Sequence, residues 1–564
     1  MDQSLSLPRR MLLQWGYSIQ DKGFPLSVKT IDVHSLHAAL CRGQEIALID
    51  PREQGSFGAR HILRAVNMPR SRFELLYRRM IPRQSVPIVL CDAGDGLVAG
   101  IADMLAFAGW TDIATLDGGV DAWEAAGFPL FSGVNVPSKG FGEYIEAKFG
   151  TPHISAETLN QMQHSGEDLV ILDSRPFTEF NSLSIPGGID APGAELVHRV
   201  KTVAPNPKTT IVVNCAGRTR SIIGAQSLIN AGVPNPVVAL ENGTMGWMLA
   251  GLDCARGNRN LATEPDQAAN AWARSAAHKV AAHFGVEQLD WDTINAWRTE
   301  TNRTTYLLDV RTIEEFQAGH IPGSHHAPGG QLVQATDEYV GILNSRLVLI
   351  DDTETRALMT AAWLRQMGWQ DVTVLKGGIG SRGTETGSIE ESVFELGLMP
   401  VSQISAQDAM KLTDVVMIDF SSSLSHRKGH PQGARCAIRA RAMADLKSVL
   451  CSRLLVFTAR DPRIATLAAQ DLMRAGVHRV RVLTGGTIAW EQAGGPMESG
   501  IKDAFSAEDD VLHKPYEITV DKTAMQRYID WELALVPQVR REGTLTFPDF
   551  PIPSGAIATG QNAD

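Results

Sequence analysis

The chain has 564 residues, of which 44% are hydrophobic, 52 are Lys or Arg and 63 are Asp or Glu, so its formal net charge is −11. This length corresponds to about four domains of ordinary globular composition. The acidic balance argues against a nucleic-acid-binding protein with a broad basic face. No apolar run reaches the roughly 18 residues of a membrane span.

The N-terminal segment contains Arg9 and Arg10, but the apolar stretch after them is too short for a signal peptide. We therefore expect a soluble, cytoplasmic protein with neither nucleic acid nor membrane as a partner.

Six cysteines are spread along the chain: Cys41, Cys91, Cys215, Cys254, Cys436 and Cys451. None forms a C-x-x-C pair, so the sequence gives no support for a zinc cluster, and we expect neither a metal nor a cofactor. Their low number is typical of a reducing compartment rather than of a disulfide framework.

One pattern recurs four times in chain order. Each copy begins with an apolar strand that ends in an aspartate: Asp50, Asp173, Asp309 and Asp419. A second apolar strand is followed by a short loop, whose first residue lies 41, 42, 42 and 39 residues after that aspartate. These first residues are Cys91, Cys215, Asp351 and Thr458. A predicted helix, a third strand and a Gly-Gly or Asn-Gly pair complete each copy.

The pattern predicts an α/β protein of four tandem domains, each a parallel sheet with helices on both faces, plus a C-terminal helical extension. The predicted bounds are 25–133, 150–256, 286–383 and 400–500 for the domains and 501–564 for the extension. The Ala-rich segment 261–285 favours a helix that joins the second and third domains. The Pro/Gly-bearing tail 547–564 is expected to be mobile.

The loop of the second copy combines a thiol with cations. It reads Cys215-Ala216-Gly217-Arg218-Thr219-Arg220 and lies between a predicted strand end and a helix start. Amides at a helix start and nearby cations both lower a thiol pKa, and the thiolate is the nucleophile. Two arginines also offer donors for an oxyanion.

Two further local features of this loop are expected to contribute to an anion-binding site. Gly217 is expected to adopt a positive φ, so that successive amides form a nest for an anion. Thr219 and Ser221 are expected to cap the helix or to donate hydroxyls. Such chemistry requires that Cys215 be reachable from solvent. The alternative is an inert cysteine buried in a tight turn.

The other loops are weaker candidates. Cys91 is a second candidate nucleophile, but Asp92 and Asp95 in its loop would raise the thiol pKa and repel an anion, so a vestigial cysteine is the alternative. Asp351 and Thr458 supply no thiol at the equivalent position, so the third and fourth domains are predicted to be non-catalytic.

Several recurring side chains are expected to be architectural rather than catalytic. They are the pairs Asp50–Arg52 and Asp173–Arg175, the histidines His61 and His320, and the tryptophans Trp123, Trp247 and Trp490.

These motifs resemble the rhodanese (sulfurtransferase) superfamily, and specifically its members with four tandem domains. The third copy carries the characteristic phrase most completely, as Asp309-Val-Arg311 followed by Gly319-His320-Ile-Pro322-Gly323. The fourth copy matches this phrase less completely and has Ser421 where an arginine is expected. In this family a six-residue loop begins with the catalytic cysteine, and Cys215 matches that position. Residues 216–220 match the part of the loop whose amides bind the sulfur and the anionic donor.

The resemblance implies transfer of a sulfane sulfur from an anionic donor such as thiosulfate to a thiol or cyanide acceptor, through a persulfide on Cys215. A protein acceptor is a further class of partner. Two alternatives stay open. A phosphatase or arsenate reductase of related fold uses a loop with Arg at the sixth position after the cysteine, which is Ser221 here. A non-catalytic scaffold or sulfur sensor is the other.

Overall fold

A computed structural model describes residues 28–389, 400–450, 453–518 and 520–553. The expectations for Arg9, Arg10, Cys451 and residues 554–564 lie outside the described residues. Among the described helices, none has both the length and the apolar character that a membrane crossing requires.

The structure contains four five-stranded sheets that share one strand order, with first and fifth strands adjacent and the third at the far edge. The predicted tandem α/β architecture is therefore confirmed. All neighbouring strands within these sheets run parallel.

The strands of each sheet are given in spatial order. The first sheet contains Lys29–Ile31, Ile113–Leu116, Ile88–Leu90, Ala47–Asp50 and Val66–Asn67. The second contains His153–Ile154, Val237–Leu240, Thr210–Asn214, Leu169–Asp173 and Ile189–Asp190. The third contains Glu287–Leu289, Val372–Leu375, Arg346–Ile350, Thr305–Asp309 and His325–His326. The fourth contains Gln403–Ile404, Val480–Leu483, Leu454–Thr458, Val415–Asp419 and Arg435–Cys436.

A small antiparallel ladder accompanies the fourth sheet and pairs His430–Pro431 with Met497–Glu498.

Helices connect the strands of every sheet. Those of the first two domains are Val33–Cys41, Gln54–Ala59, Tyr77–Met80, Leu97–Phe107, Gly119–Ala125, Ala156–Ser165, Phe177–Ser182, Glu195–Val203, Thr219–Asn230 and Gly243–Leu249. Those of the last two are Trp291–Thr299, Ile313–Ala318, Gly329–Gln334, Thr355–Gln366, Ala406–Ala409, Ser423–Lys428, Ala442–Asp445, Pro462–Arg474 and Gly486–Gln492. Connecting or terminal helices are Val136–Phe149, Gln267–His283, Lys522–Leu533 and Leu535–Glu542. Short 3-10 helices cover Arg70–Leu75, Thr336–Glu338, Gly380–Arg382 and Arg439–Arg441.

The strand that precedes each loop is the central strand of its sheet, and its apolar residues are buried on both faces. Parallel strands that are covered on both faces form continuous apolar runs, which is how they appear in the sequence. This arrangement places every loop at the carboxyl end of its sheet, where α/β folds bind ligands.

The aspartate–arginine pairs are architectural, as predicted. Arg175 Nε donates to Asp173 Oδ1 at 2.8 Å, and its Nη2 donates to the carbonyl of Leu183 at 2.5 Å. Arg52 and Arg311 make the same two kinds of contact in the first and third domains. Each guanidinium thus connects a strand end to the end of the following helix. In the fourth domain, where Ser421 replaces the arginine, His426 Nδ1 lies 2.8 Å from Asp419 Oδ2 instead.

The predicted core anchors are also in place. The indoles of Trp123, Trp247 and Trp490 are buried, and each Nε1 donates to the backbone carbonyl six residues later in the chain. His61 and His320 are buried, stack on the phenylalanine four residues earlier, and have Nδ1 within hydrogen-bond distance of its carbonyl.

The described residues divide into two compact units. One unit contains 28–36, 47–134 and 400–513, and so includes the first and fourth sheets. The other contains 37–46, 135–389 and 514–553, and so includes the second and third sheets and both terminal helices. Cys91 belongs to the first unit and Cys215 to the second.

Candidate active site

Cys215 directly follows the central strand Thr210–Asn214, and hydrogen bonds fix the backbone on both sides of it. The amide of Ser174 donates to the carbonyl of Asn214 at 2.8 Å. The amide and hydroxyl of Thr244 both donate to the carbonyl of Cys215, at 2.8 and 3.0 Å. The loop 215–220, here called the Cys215 loop, is therefore held between two neighbouring strand ends.

Two glycines allow close approach at this loop. Gly243 has φ +54°, and a Cβ there would lie 2.4 Å from the carbonyl oxygen of Cys215, so no other residue fits without a backbone shift. Gly217 does not have the positive φ that we expected. Its role is spatial instead, because a Cβ on Gly217 would lie 2.8 Å from Met245 Cε and 3.2 Å from Glu532 Oε2.

The helix after the loop begins without a side-chain cap. Arg218 is the N-cap residue, and the helix Thr219–Asn230 follows it. The expectation that Thr219 or Ser221 caps this helix is wrong. Ser221 Oγ donates to the carbonyl of Arg218 at 2.8 Å, and Thr219 Oγ1 is buried with no hydrogen-bond partner among the described residues.

The amides of residues 216–220 have no acceptor within the described part of the chain. They belong to the first turn of a helix or directly precede it, where amide hydrogens lack intrahelical partners and attract anions. This is the chemical basis for an anion site beside Cys215.

Arg218 is bound by carboxylates. Its Nε and Nη2 donate to the two oxygens of Glu143 at 2.8 Å each, Nη2 also contacts Glu146, and Nη1 donates to Asn242 Oδ1 at 3.2 Å. Burial alone would lower the pKa of Arg218, but Glu143 and Glu146 outweigh it and raise that pKa. The guanidinium is thus fixed in place and its charge is neutralised, and a direct role in binding an anion stays a prediction.

Arg220 is likewise paired, with Glu179. Its Nη1 and Nη2 donate to the two carboxylate oxygens of Glu179 at 3.0 Å, and Nη1 also donates to Gln331 Oε1 at 3.0 Å. Burial would lower the pKa of Arg220, but Glu179 and the nearby Cys215 raise it. Arg220 is therefore a buried cation of the Cys215 loop that is fixed mainly by Glu179.

The Cys215 side chain is 2% exposed, and its Sγ donates to Ser221 Oγ at 3.5 Å. This exposure is lower than the open thiol we expected. Met245 and the terminal helix Lys522–Leu533 lie against the same loop at Gly217.

Cys91 has different surroundings. Its side chain is fully buried, and Sγ donates to the carbonyl of Ile49 at 3.6 Å. Burial, Asp50 and Asp92 raise the pKa of the Cys91 thiol well above its usual value, although Arg52 acts in the opposite direction. The sequence had indicated the direction of this shift from the acidic residues of the loop alone.

In each of the other three domains, a carboxylate side chain of the loop itself accepts hydrogen bonds from loop amides. Asp92 accepts hydrogen bonds from the amides of Gly94 and Val98, at 2.9 and 3.4 Å. The carboxylate of Asp351 accepts from the amides of Asp352 and Arg356, at 2.8 Å each. Asp461 accepts from the amide of Arg463 at 3.0 Å. Within the described residues, side chains occupy some amides of the Cys91 loop but none of the amides of residues 216–220 in the Cys215 loop.

Three glutamates at the site were not found from the sequence. They are Glu143 on the connecting helix Val136–Phe149, Glu179 on the helix Phe177–Ser182 and Glu532 on a terminal helix. For Glu143 a signal was available, because Glu143 and Glu146 lie three residues apart and so share one helix face.

Comparison with known proteins identifies the family. A Rhodanese-like domain profile matches residues 32–126, 155–250 and 293–381. A crystal structure of thiosulfate sulfurtransferase from Pseudomonas aeruginosa is 42% identical, with a TM-score of 0.88 over 93% of this chain and all of that one. The chain belongs to the rhodanese superfamily.

A curated relative gives a shorter match. YrkF of Bacillus subtilis (strain 168), described as a sulfur carrier protein, is 29% identical over 75 residues. The match spans 13% of this chain and 40% of that protein. Together, these rhodanese relatives support sulfurtransferase activity.

Proposed function

We propose that the protein transfers a sulfane sulfur from an anionic donor such as thiosulfate to a thiol or cyanide acceptor, through a persulfide on Cys215. The observation that carries the proposal is the contrast among the four loops. Built-in carboxylates occupy amides in three of them, whereas the amides of 216–220 lack such an occupant within the described residues. The thiosulfate sulfurtransferase to which the chain is similar supports the choice of donor.

The chemistry follows from this arrangement. The Cys215 thiolate attacks the outer sulfur of thiosulfate, the sulfur–sulfur bond of the donor breaks, and sulfite leaves with the electron pair. Helix-start amides stabilise the anionic donor while this bond breaks. An acceptor nucleophile then attacks the outer sulfur of the persulfide, and Cys215 leaves as the thiolate. No cofactor enters either step.

Intact-mass measurement after incubation with thiosulfate tests the proposal. The wild-type protein gains one sulfur atom, and Cys215→Ser gains none. Cys91→Ser keeps most of the uptake, because the raised pKa of Cys91 leaves its thiol protonated. Cys254→Ser, in the same domain as Cys215 and only half-buried, is the matched control and behaves as wild type.

Full uptake by Cys215→Ser would refute the assignment of Cys215. Hydrolysis of an aryl phosphate without any sulfur uptake would instead favour the phosphatase alternative. The absence of both activities would favour a scaffold or sensor.

A further inference from the structure

The terminal helix Lys522–Leu533 lies against the Cys215 loop. Met525 and Ile529 are buried on this helix and form a cluster with Met245, which lies next to the loop. On the same helix, Tyr528 Cε1 and Glu532 Oε2 come to 3.8 and 3.2 Å from the position that a Cβ on Gly217 would occupy. The sequence pattern predicted this helix but gave it no chemical role.

Glu532 has one oxygen without a partner. Its side chain is 2% exposed, and Oε1 accepts a hydrogen bond from Lys139 Nζ at 3.0 Å. Oε2 is buried and has no hydrogen-bond partner among the described residues. Leaving a buried carboxylate oxygen unpaired costs free energy, so such an atom in a native structure calls for an explanation. Because Oε2 lies beside Gly217, we infer that its hydrogen-bond donor belongs to a molecule that binds at the Cys215 loop.

Charges around the loop are balanced. The cations of the ion pairs that border it are Lys139, Arg218, Arg220 and Lys514. The carboxylates are equal in number: Glu143, Glu146, Glu179 and Glu532. The amides of residues 216–220 serve the anionic donor, and the side chains at this border add no surplus of positive charge, so this border offers no further attraction for an anionic second substrate. It suits an acceptor that is neutral and carries a hydrogen-bond donor.

We propose that Glu532 serves the acceptor half-reaction, by accepting the S–H hydrogen bond of a neutral low-molecular-weight thiol and taking its proton. This proposal rests on the proposed function. As the proton moves to Glu532 Oε2, the thiol sulfur attacks the outer sulfur of the Cys215 persulfide. The bond between the two persulfide sulfurs breaks, and Cys215 leaves as the thiolate with the electron pair. The acceptor departs as a persulfide, and Glu532 releases the proton to solvent.

Cyanide provides an internal control, because it attacks as an anion and brings no proton to the site. Removal of the proton acceptor should therefore slow transfer to a thiol and spare transfer to cyanide. A merely structural role for Glu532 would slow both.

The experiment compares Glu532→Gln with wild type in the full-length protein. Each protein is loaded with thiosulfate and desalted, and the discharge rate per loaded site is measured with 2-mercaptoethanol and with cyanide. We expect Glu532→Gln to lose about 100-fold in the thiol rate, as is usual when a general base is removed, with a cyanide rate within about twofold of wild type. Glu542→Gln is the matched control, since Glu542 is also buried in a terminal helix and its carboxylate accepts hydrogen bonds from Thr544.

A second variant distinguishes an effect on proton transfer from a loss of folding. Glu532→Asp keeps a negative charge opposite Lys139 but withdraws the carboxylate by one methylene, so the thiol rate falls while the cyanide rate holds. An unchanged thiol rate in either variant, or an equal loss with both acceptors, would overturn the proposal. Failure of the wild-type protein to take up sulfur would instead refute the proposed function itself, and is seen before any acceptor is added.

Discussion

Cysteines at equivalent positions in the first and second domains have different neighbours. Cys91 is followed by Asp92, whose carboxylate occupies loop amides and raises the thiol pKa. Cys215 is followed by Ala216, which has no charge, and Cys215 contributes to the raised pKa of Arg220 in the same loop. Asp92 thus changes the anion site of the first domain, and it adds to the effect of burial and Asp50 on the pKa of the Cys91 thiol.

Replacing Arg220 with Ala should weaken use of the donor more than use of the acceptor. The change removes a cation near Cys215 and leaves the Glu179 carboxylate with Lys514, at 3.4 Å, and Arg175 as neighbouring cations. A less compensated carboxylate repels a dianionic donor and disfavours the thiolate. We expect kcat/KM for thiosulfate to fall about tenfold or more, since a shift of one pKa unit corresponds to about 1.4 kcal/mol.

Stopped-flow loading and discharge measured separately check this expectation. Arg256→Ala is the control, because Arg256 is exposed in the same domain and donates to the carbonyl of Ser182. Equal losses in the two half-reactions of Arg220→Ala would contradict a role on the donor side.

At the scale of elements, the Asp351 loop differs from the Cys215 loop in its internal ion pairs. Arg356 is fully buried and donates to Asp351, Glu195 and Glu315, and also to Asp352. The guanidinium and the Asp351 carboxylate thus form an internal ion-pair network at the position where the Cys215 loop has its thiol and free amides.

Asp351→Cys in a Cys215→Ser background should therefore gain no sulfur from thiosulfate. Three carboxylates, those of Glu195, Glu315 and Asp352, would surround one guanidinium, raise the pKa of the new thiol and repel the donor. Intact-mass analysis measures this directly, with wild type as the positive control and Cys215→Ser as the negative one. A sulfur adduct mapped to position 351 would show that the loop backbone alone is sufficient.

These elements also show what a sequence can predict. The apolar strands, the glycine pairs and the loop positions are local patterns, and they correctly placed the four sheets and Cys215 at a central strand end. The partners of Arg218 and the position of Glu532 depend on how distant helices pack. For example, a Cβ on Gly142 would lie 2.7 Å from Thr219 Cγ2, which is how the connecting helix brings Glu143 to the loop. Local spacing contains no information about such approaches.

At the scale of the whole molecule, the order of domains in the chain differs from their grouping in space. The first and fourth sheets belong to one compact unit, and the second and third to the other. Within the first unit, Glu74 links the segments 47–134 and 400–513. Arg439 donates to both oxygens of Glu74 at 2.6 and 2.7 Å, and Arg70 donates to it at 2.9 Å. Residues 365 positions apart thus share one buried ion-pair network.

This network should make the first unit sensitive to acid. Burial alone would raise the pKa of Glu74, but Arg439 and Arg70 outweigh it and lower that pKa from 4.5 to about 2. A depressed carboxyl pKa contributes stability that is fully present well above pH 4.5 and is lost as the pH falls towards 2, since the unfolded chain binds the proton first. Glu74→Gln removes this contribution and leaves two buried guanidinium groups less compensated. It should cost about 3 kcal/mol at neutral pH.

Urea unfolding of wild type and Glu74→Gln between neutral pH and pH 3.5, followed by hydrogen exchange of peptides from 47–134 and 400–513, tests this. The difference in unfolding free energy between the two proteins should shrink by about 1 kcal/mol at the acid end. Glu124→Gln removes an exposed pair with Arg60 and should change stability by less than about 1 kcal/mol. Because Cys215 belongs to the other unit, Glu74→Gln should still take up sulfur. A stability difference independent of pH would show that Glu74 is protonated, or equally ionised, in both the folded and the unfolded chain.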